Sequence, residues 1–127
     1  MNTDELRLDQ VTESIIGCAF RVMNTLGSGF LEKVYENALA YEIRESGLTV
    51  SRQHGIIIMY NNVAVGEYAV DLLIEGTSIV ELKAVKSLDK VPIAQCVSFL
   101  KLIGLHLCLL LNLGRPRLEI RQIVNGI

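Results

Sequence analysis

The chain has no tryptophan, two prolines and three cysteines in 127 residues, and aromatics make up only 6% of it. So few rings argue against a stacking platform for single-stranded nucleic acid. Cys18, Cys96 and Cys108 lie in apolar stretches without C-x-x-C spacing. An odd count with no framework speaks against a disulfide-stapled secreted fold and for reduced thiols packed as small core residues. A surplus of positive charge is also missing: 12 Lys and Arg stand against 14 Asp and Glu, for a net charge of -2. No global field therefore draws in nucleic acid, although a local site is still compatible with that balance. The longest uncharged stretch near the end, residues 102–114, is too short to span a bilayer and contains His106. Met1-Asn-Thr-Asp-Glu-Leu-Arg7 lacks the basic-then-apolar pattern of a secretory signal. The expectation is a cytoplasmic protein with no membrane partner.

Several chemistries are absent as well. His54 and His106 have no second His or Cys at ligand spacing, which speaks against zinc. There is no Ser-His-Asp order and no phosphate-binding loop. Gly27 and Gly29 lack both a third glycine and a preceding strand, so no dinucleotide fingerprint forms.

What remains is an apolar chain, 50% hydrophobic and 20% charged, of a length that makes one domain over residues 1–127. Val11, Ile15, Cys18, Ala19 and Val22 recur at helical spacing and predict a helix over 9–25, stopped at Gly27. Leu31, Val34, Ala38, Leu39 and Ile43 predict a second helix over about 30–46, capped by Ser28 and closed by Gly47. Short strands are expected at 48–52, 55–60 and 63–68, the last two joined through Asn61-Asn62. Two more follow at 68–75 and 78–85. A third helix is expected over 89–103, with Asp89 or Ser87 as cap and Pro92 in its first turn. A buried strand at 106–112 and an edge strand at 117–124 complete an α/β fold, a mixed central sheet flanked by helices.

The charged residues inside the two central strands need an explanation. Glu81 and Lys83 are two apart in Ser78-Ile-Val-Glu-Leu-Lys83 and share a face, while Val80 and Leu82 take the other. Asp71 sits in the preceding strand. Charge in an apolar strand costs free energy unless it is paired, solvated or bound to metal. A symmetric two-residue turn at Gly76-Thr77 would put Asp71 opposite Leu82, on the wrong face. Bringing Asp71 beside Glu81 requires an odd loop or a bulge, which Gly76 can supply.

Asp71 with Glu81-Leu-Lys83 resembles the D…(D/E)-x-K pattern of the PD-(D/E)XK nuclease superfamily. Gly29-Phe-Leu-Glu32-Lys-Val-Tyr35 resembles the motif of its GxxExxY branch. Arg52-Gln53, Gln95 and Asn112-Leu-Gly114 are also similar to that branch, and the likeness runs over residues 15–124. Val70 precedes Asp71 where many members have Pro, and Phe99 stands where some relatives have Tyr. The resemblance implies a restriction-endonuclease-like core, helix, three antiparallel strands, helix, strand (αβββαβ), behind an extra N-terminal helix.

It also implies a reaction: metal-assisted hydrolysis of phosphodiester bonds in nucleic acid, DNA or RNA. Mg²⁺ (or Mn²⁺) takes one or two carboxylates plus waters and phosphate oxygens, and Asp71 and Glu81 offer such a pair. The resemblance adds the Leu82 carbonyl and Glu32 as further ligands. Lys83 would assist the attacking water as a mobile point charge. Gln95 would support the site, and Tyr35 and Gln53 are candidates for substrate contact. Each has a plainer alternative: a cross-strand ion pair for Asp71, Glu81 and Lys83, a solvated helix stripe for Glu32, a helix-to-sheet hydrogen bond for Gln95. Glu36, i+4 from Glu32, is expected to be structural. Lys83, Lys86, Lys90, Arg115, Arg117 and Arg121 form either a positive rim or scattered solvated charges. The apolar first helix and apolar edges leave a homodimer open. Two rival functions stand beside the nuclease: a non-catalytic interaction module on the same fold, and a hydrolase of small phosphate esters.

Overall fold

The computed structural model describes residues 3–124. Helix α1 spans Thr3–Leu26 and α2 spans Glu32–Glu45. Strands β1 (Val50–Tyr60), β2 (Val63–Ile74) and β3 (Ser78–Lys83) follow, then α3 (Lys90–Ile103), β4 (Leu107–Asn112) and β5 (Glu119–Val124). The five strands form one sheet in sequential order, antiparallel except for the β3–β4 pair. A parallel pair needs a long crossover, and α3 is that crossover. From α2 onward the order is the αβββαβ core that the resemblance implied.

The sheet separates two apolar clusters. On one side, Val11, Ile15, Cys18, Ala19 and Val22 of α1 and Leu39 and Ile43 of α2 pack on Leu72, Val80, Leu82, Leu109 and Leu111. On the other, Cys96, Phe99 and Leu100 of α3 pack on Ile79, Cys108, Leu110 and Ile123. β4 is buried along its whole length, as a strand covered on both faces must be. The α1 stripe that left a homodimer open is consumed in this core. All three cysteines are free and buried.

Several element boundaries differ from the sequence expectation. Helix α2 begins at Glu32, after Leu31 in extended conformation with no side-chain cap, so Ser28 caps nothing. Of the two caps expected for α3, Asp89 is the one used, accepting from the Val91 N–H at 3.0 Å. The short strands expected at 48–52 and 55–60 are one strand, as are those at 63–68 and 68–75. A single long hairpin results, turning at Asn61 (φ 48°) and Asn62 (φ 64°), both left-handed as a tight hairpin turn demands. The interruption expected near residue 53 appears instead as a reversal within the strand. Gln53 adopts φ 46°, and the pairing continues on either side, Arg52 with Leu72 and His54 with Val70. Beyond this point the parity switches: Leu72 and Ile74 pack toward α1 and α2, whereas Val70 and Tyr68 pack toward α3. The reversal falls where Gln53 and Asp71 face one another.

Candidate active site

The β2–β3 connection decides whether the acids meet. Leu72 pairs with Val80 and Ile74 with Ser78, leaving Glu75, Gly76 and Thr77 as a three-residue loop. Glu75 (φ 54°) and Gly76 (φ 65°) are both left-handed. The odd loop that the pattern required is therefore present, and the next rung out sets Asp71 level with Glu81. Contacts agree: the Asp71 N–H donates to Glu81 Oε1 at 3.3 Å, and the Leu82 N–H donates to Asp71 Oδ2 at 2.8 Å. Glu81 and Lys83 share the strand parity of Ile79, so they face α3.

Glu81 is only 4% exposed. Burial first, and the neighbouring Asp71 charge second, push its carboxyl from the ordinary 4.5 up to about 9. No ion pair joins Lys83 to either acid among the described residues. Two hard oxygen donors short of counter-charge are a donor set suited to a divalent cation, and a water-rich ion such as Mg²⁺ asks for no larger cage. The pair fits the metal that the resemblance implied.

Glu32 does not join it. Among the described residues no three Asp, Glu, His or Cys side chains gather as a cation cage. The reason lies in the start of α2. Glu32 is its exposed first residue, and the carboxylate that α2 turns inward is Glu36, one turn later. Glu36 is buried and receives Arg52 Nη2 at 2.8 Å, Lys33 Nζ at 3.1 Å and Gln53 Nε2 at 2.6 Å. Burial alone would raise its pKa, but these donors outweigh burial and hold it below the ordinary value. Its structural role agrees with expectation.

Gln53 links the two regions. The same amide nitrogen that reaches Glu36 lies 3.3 Å from Asp71 Oδ1. Its left-handed backbone and its bonds thus make it a tie between α2 and the central acid, whereas the sequence reading placed it on substrate. Tyr35, expected to contact substrate, is a loop anchor instead. It is fully buried, donates to the Gly27 carbonyl at 2.6 Å and accepts from the Phe30 N–H at 3.2 Å. Its hydroxyl pins the α1–α2 loop and bonds no site carboxylate.

Lys83, Glu32 and Gln95 do come together. They line one cavity of about 450 Å³ between the end of β3 and the start of α3. Gln95 is exposed there and not tied to the sheet. Beyond Lys83 the cavity is lined by Val85, which β4 braces from behind. Asn112, completely buried, accepts from the Val85 N–H at 3.0 Å and donates to the Val85 carbonyl at 2.9 Å. Its amide thereby stands in for a strand partner after β3 has ended. Gly114 passes so close that an added Cβ would lie 2.3 Å from the Val85 nitrogen. Sequence reasoning assigned neither residue a task.

Tyr68 is a further residue it missed. The ring stacks on Phe99, with centroids 4.4 Å apart. Burial, then the charges of Glu81 and Asp71, push its hydroxyl pKa up. The parity switch hid it, because three residues before Asp71 reads as the opposite face of a regular strand.

Two comparisons with known proteins agree with this geometry. A solved structure, described as the crystal structure of SSO0001, superposes with a TM-score of 0.57 at 16% identity. The match covers 75% of this chain, which spans half the length of that protein, and at this identity it speaks for the fold. No curated protein matches. Among the described residues, no helix is long and apolar enough to cross a membrane. The family profile of the PD-(D/E)XK nuclease superfamily matches residues 9–123, covering both carboxylates, the lysine and the fold that carries them, and the chain belongs to that superfamily.

Proposed function

We propose that this protein is a divalent-metal-dependent nuclease of the GxxExxY branch, hydrolysing phosphodiester bonds in nucleic acid. One observation carries the reading: Asp71 and Glu81 lie level on adjacent strands, with Lys83 next on the Glu81 face. Asp71 and Glu81 would hold Mg²⁺ or Mn²⁺, with the Leu82 carbonyl as a further oxygen. A bound ion of this kind lowers the pKa of a water and neutralises phosphate charge. Lys83 contributes a positive charge that orients the attacking water and stabilises developing hydroxide, for in-line attack with inversion at phosphorus. Gln95 donates an amide hydrogen to a phosphate oxygen across the same cavity. Glu32 at its rim holds waters rather than the ion itself.

The GxxExxY motif has a structural use in this reading. Gly29 (φ 121°) and the Tyr35 hydroxyl shape the loop that presents Glu32. Three free thiols support a reducing, cytoplasmic setting. The exposed Ile57, Tyr60, Val63 and Val65 of the hairpin support pairing of two copies.

Cleavage of varied DNA and RNA with Mg²⁺ or Mn²⁺, beside Asp71→Ala and Lys83→Ala, tests the proposal. Activity is lost in both variants while the fold is retained. Cleavage surviving both substitutions would refute it. A non-catalytic module is the second reading, favoured by the bonds that already occupy Asp71 from Leu82 and Gln53. Under that reading, calorimetry detects no metal binding in the wild type.

A further inference from the structure

We propose that Arg115, Arg117 and Arg121 form a track that grips the sugar–phosphate backbone beside the cleavage site. The inference rests on the nuclease reading and extends it to how the substrate lies. In a chain of net charge -2, these three arginines line one surface cavity of about 310 Å³. Glu119 is the single carboxylate among them. It is already engaged, by Asn112 Nδ2 at 3.1 Å, Arg121 Nη2 at 3.1 Å and Arg115 Nη1 at 3.6 Å. The patch therefore keeps a local positive excess. Arg117 makes no ion pair among the described residues and is exposed.

Register ties this patch to the reaction centre. Lys83 pairs with Asn112, and Asn112 pairs with Glu119, so all three lie on one rung. Glu119 and Arg121 share the parity of Ile123 on the α3 face, the face that Lys83 and Glu81 take. Two strand spacings set the patch roughly 10 Å from Lys83, about three backbone rises of a nucleic-acid strand. The Asn112 amide, which braces the cavity wall at Val85, also holds Glu119 between the arginines. Arginine forks match phosphate oxygens in pairs, and the partner with complementary charge and repeat is a polynucleotide backbone.

The test is binding of labelled single- and double-stranded oligonucleotides, in chelator so that nothing is cut, between 50 and 200 mM NaCl. Arg117→Glu weakens binding tenfold or more, and Arg115→Ala/Arg117→Ala lowers the slope of log K against log salt by about two. Lys101→Ala, which removes one exposed charge at the far end of α3, leaves affinity and slope as they were. Equal losses in the Lys101 variant reduce the effect to net charge and overturn the proposal. So does unchanged binding by Arg117→Glu, or a wild type that binds no oligonucleotide. Arginine-dependent binding without metal-dependent cleavage would instead sink the nuclease reading and leave the track standing. Circular dichroism melts of each variant separate lost contacts from lost fold.

Discussion

Glu81 presents a carboxyl oxygen 3.3 Å from the Asp71 backbone nitrogen, on the same rung and under the same cover of α3. Two acids so placed cannot both ionise cheaply without a cation. The proton that keeps Glu81 neutral is therefore the group a metal must displace.

Metal binding should accordingly release a proton. Glu81 titrates near 9 in the metal-free protein, so the apparent affinity for Mg²⁺ or Mn²⁺ rises with pH up to that value. The gain approaches about tenfold per pH unit, the limit for one competing proton. Calorimetry in buffers of different ionisation enthalpy counts the proton: close to one for the wild type at pH 7, and none for Glu81→Gln.

The same carboxyl should make the metal-free protein less stable in alkali. In the unfolded chain Glu81 ionises near 4.5, and in the folded chain near 9. Between those values the unfolded state binds fewer protons, so stability falls as pH rises, by up to about 1.4 kcal/mol per unit. Below 4.5 both states are protonated and the effect vanishes. Glu36 acts in the opposite sense: its carboxyl is held low when folded, so its contribution is present above 4.5 and fades in acid. Denaturant melts in chelator from pH 5 to 9 should show Glu81→Gln losing less stability than the wild type over that window.

Gln53 separates strain from function. A left-handed φ costs a glutamine of order 1 kcal/mol and a glycine almost nothing. Gln53→Gly relieves the backbone yet removes the bridge between Glu36 and Asp71. Its stability should match or exceed that of Gln53→Ala by up to about 1 kcal/mol. Cleavage should fall in both, mainly through weaker metal binding. A glycine variant with full activity would reduce Gln53 to a residue that merely tolerates its backbone.

Gly114→Ala should be among the most damaging single changes. An added methyl would lie 2.3 Å from the Val85 nitrogen and 2.5 Å from the Ala84 carbonyl carbon, both backbone atoms that cannot swing aside. Overpacking of this kind costs about 1–3 kcal/mol. The displaced wall adjoins Lys83, so turnover should drop more than the melting temperature alone accounts for. Thermal melts read beside cleavage rates check both parts.

Much of this was legible in the residues. Apolar spacing located α1 and α2, a cap and a first-turn proline located α3, and the charged pair within an apolar strand marked Glu81 and Lys83. The need to bring Asp71 onto their face correctly demanded an irregular turn, because a period of two leaves no other route. Roles that depend on where a side chain ends up were less readable. Tyr35 and Glu32 belong to one motif, yet the start of α2 sends one hydroxyl into a loop and leaves the other group in solvent. Gln53 reads as a polar residue at a strand break, and only pairing on both sides of it shows a reversal inside a continuous hairpin. Asn112 lies in an apolar run, where nothing local tells that its amide completes the pairing of Val85.

The most direct measurement is the anomalous signal of Mn²⁺ in crystals soaked at neutral to alkaline pH. The account predicts one peak within coordination distance of the Asp71 and Glu81 carboxylates, beside the Leu82 carbonyl. At saturating Mn²⁺, density lacking any peak there, or a peak held by other residues, would contradict it.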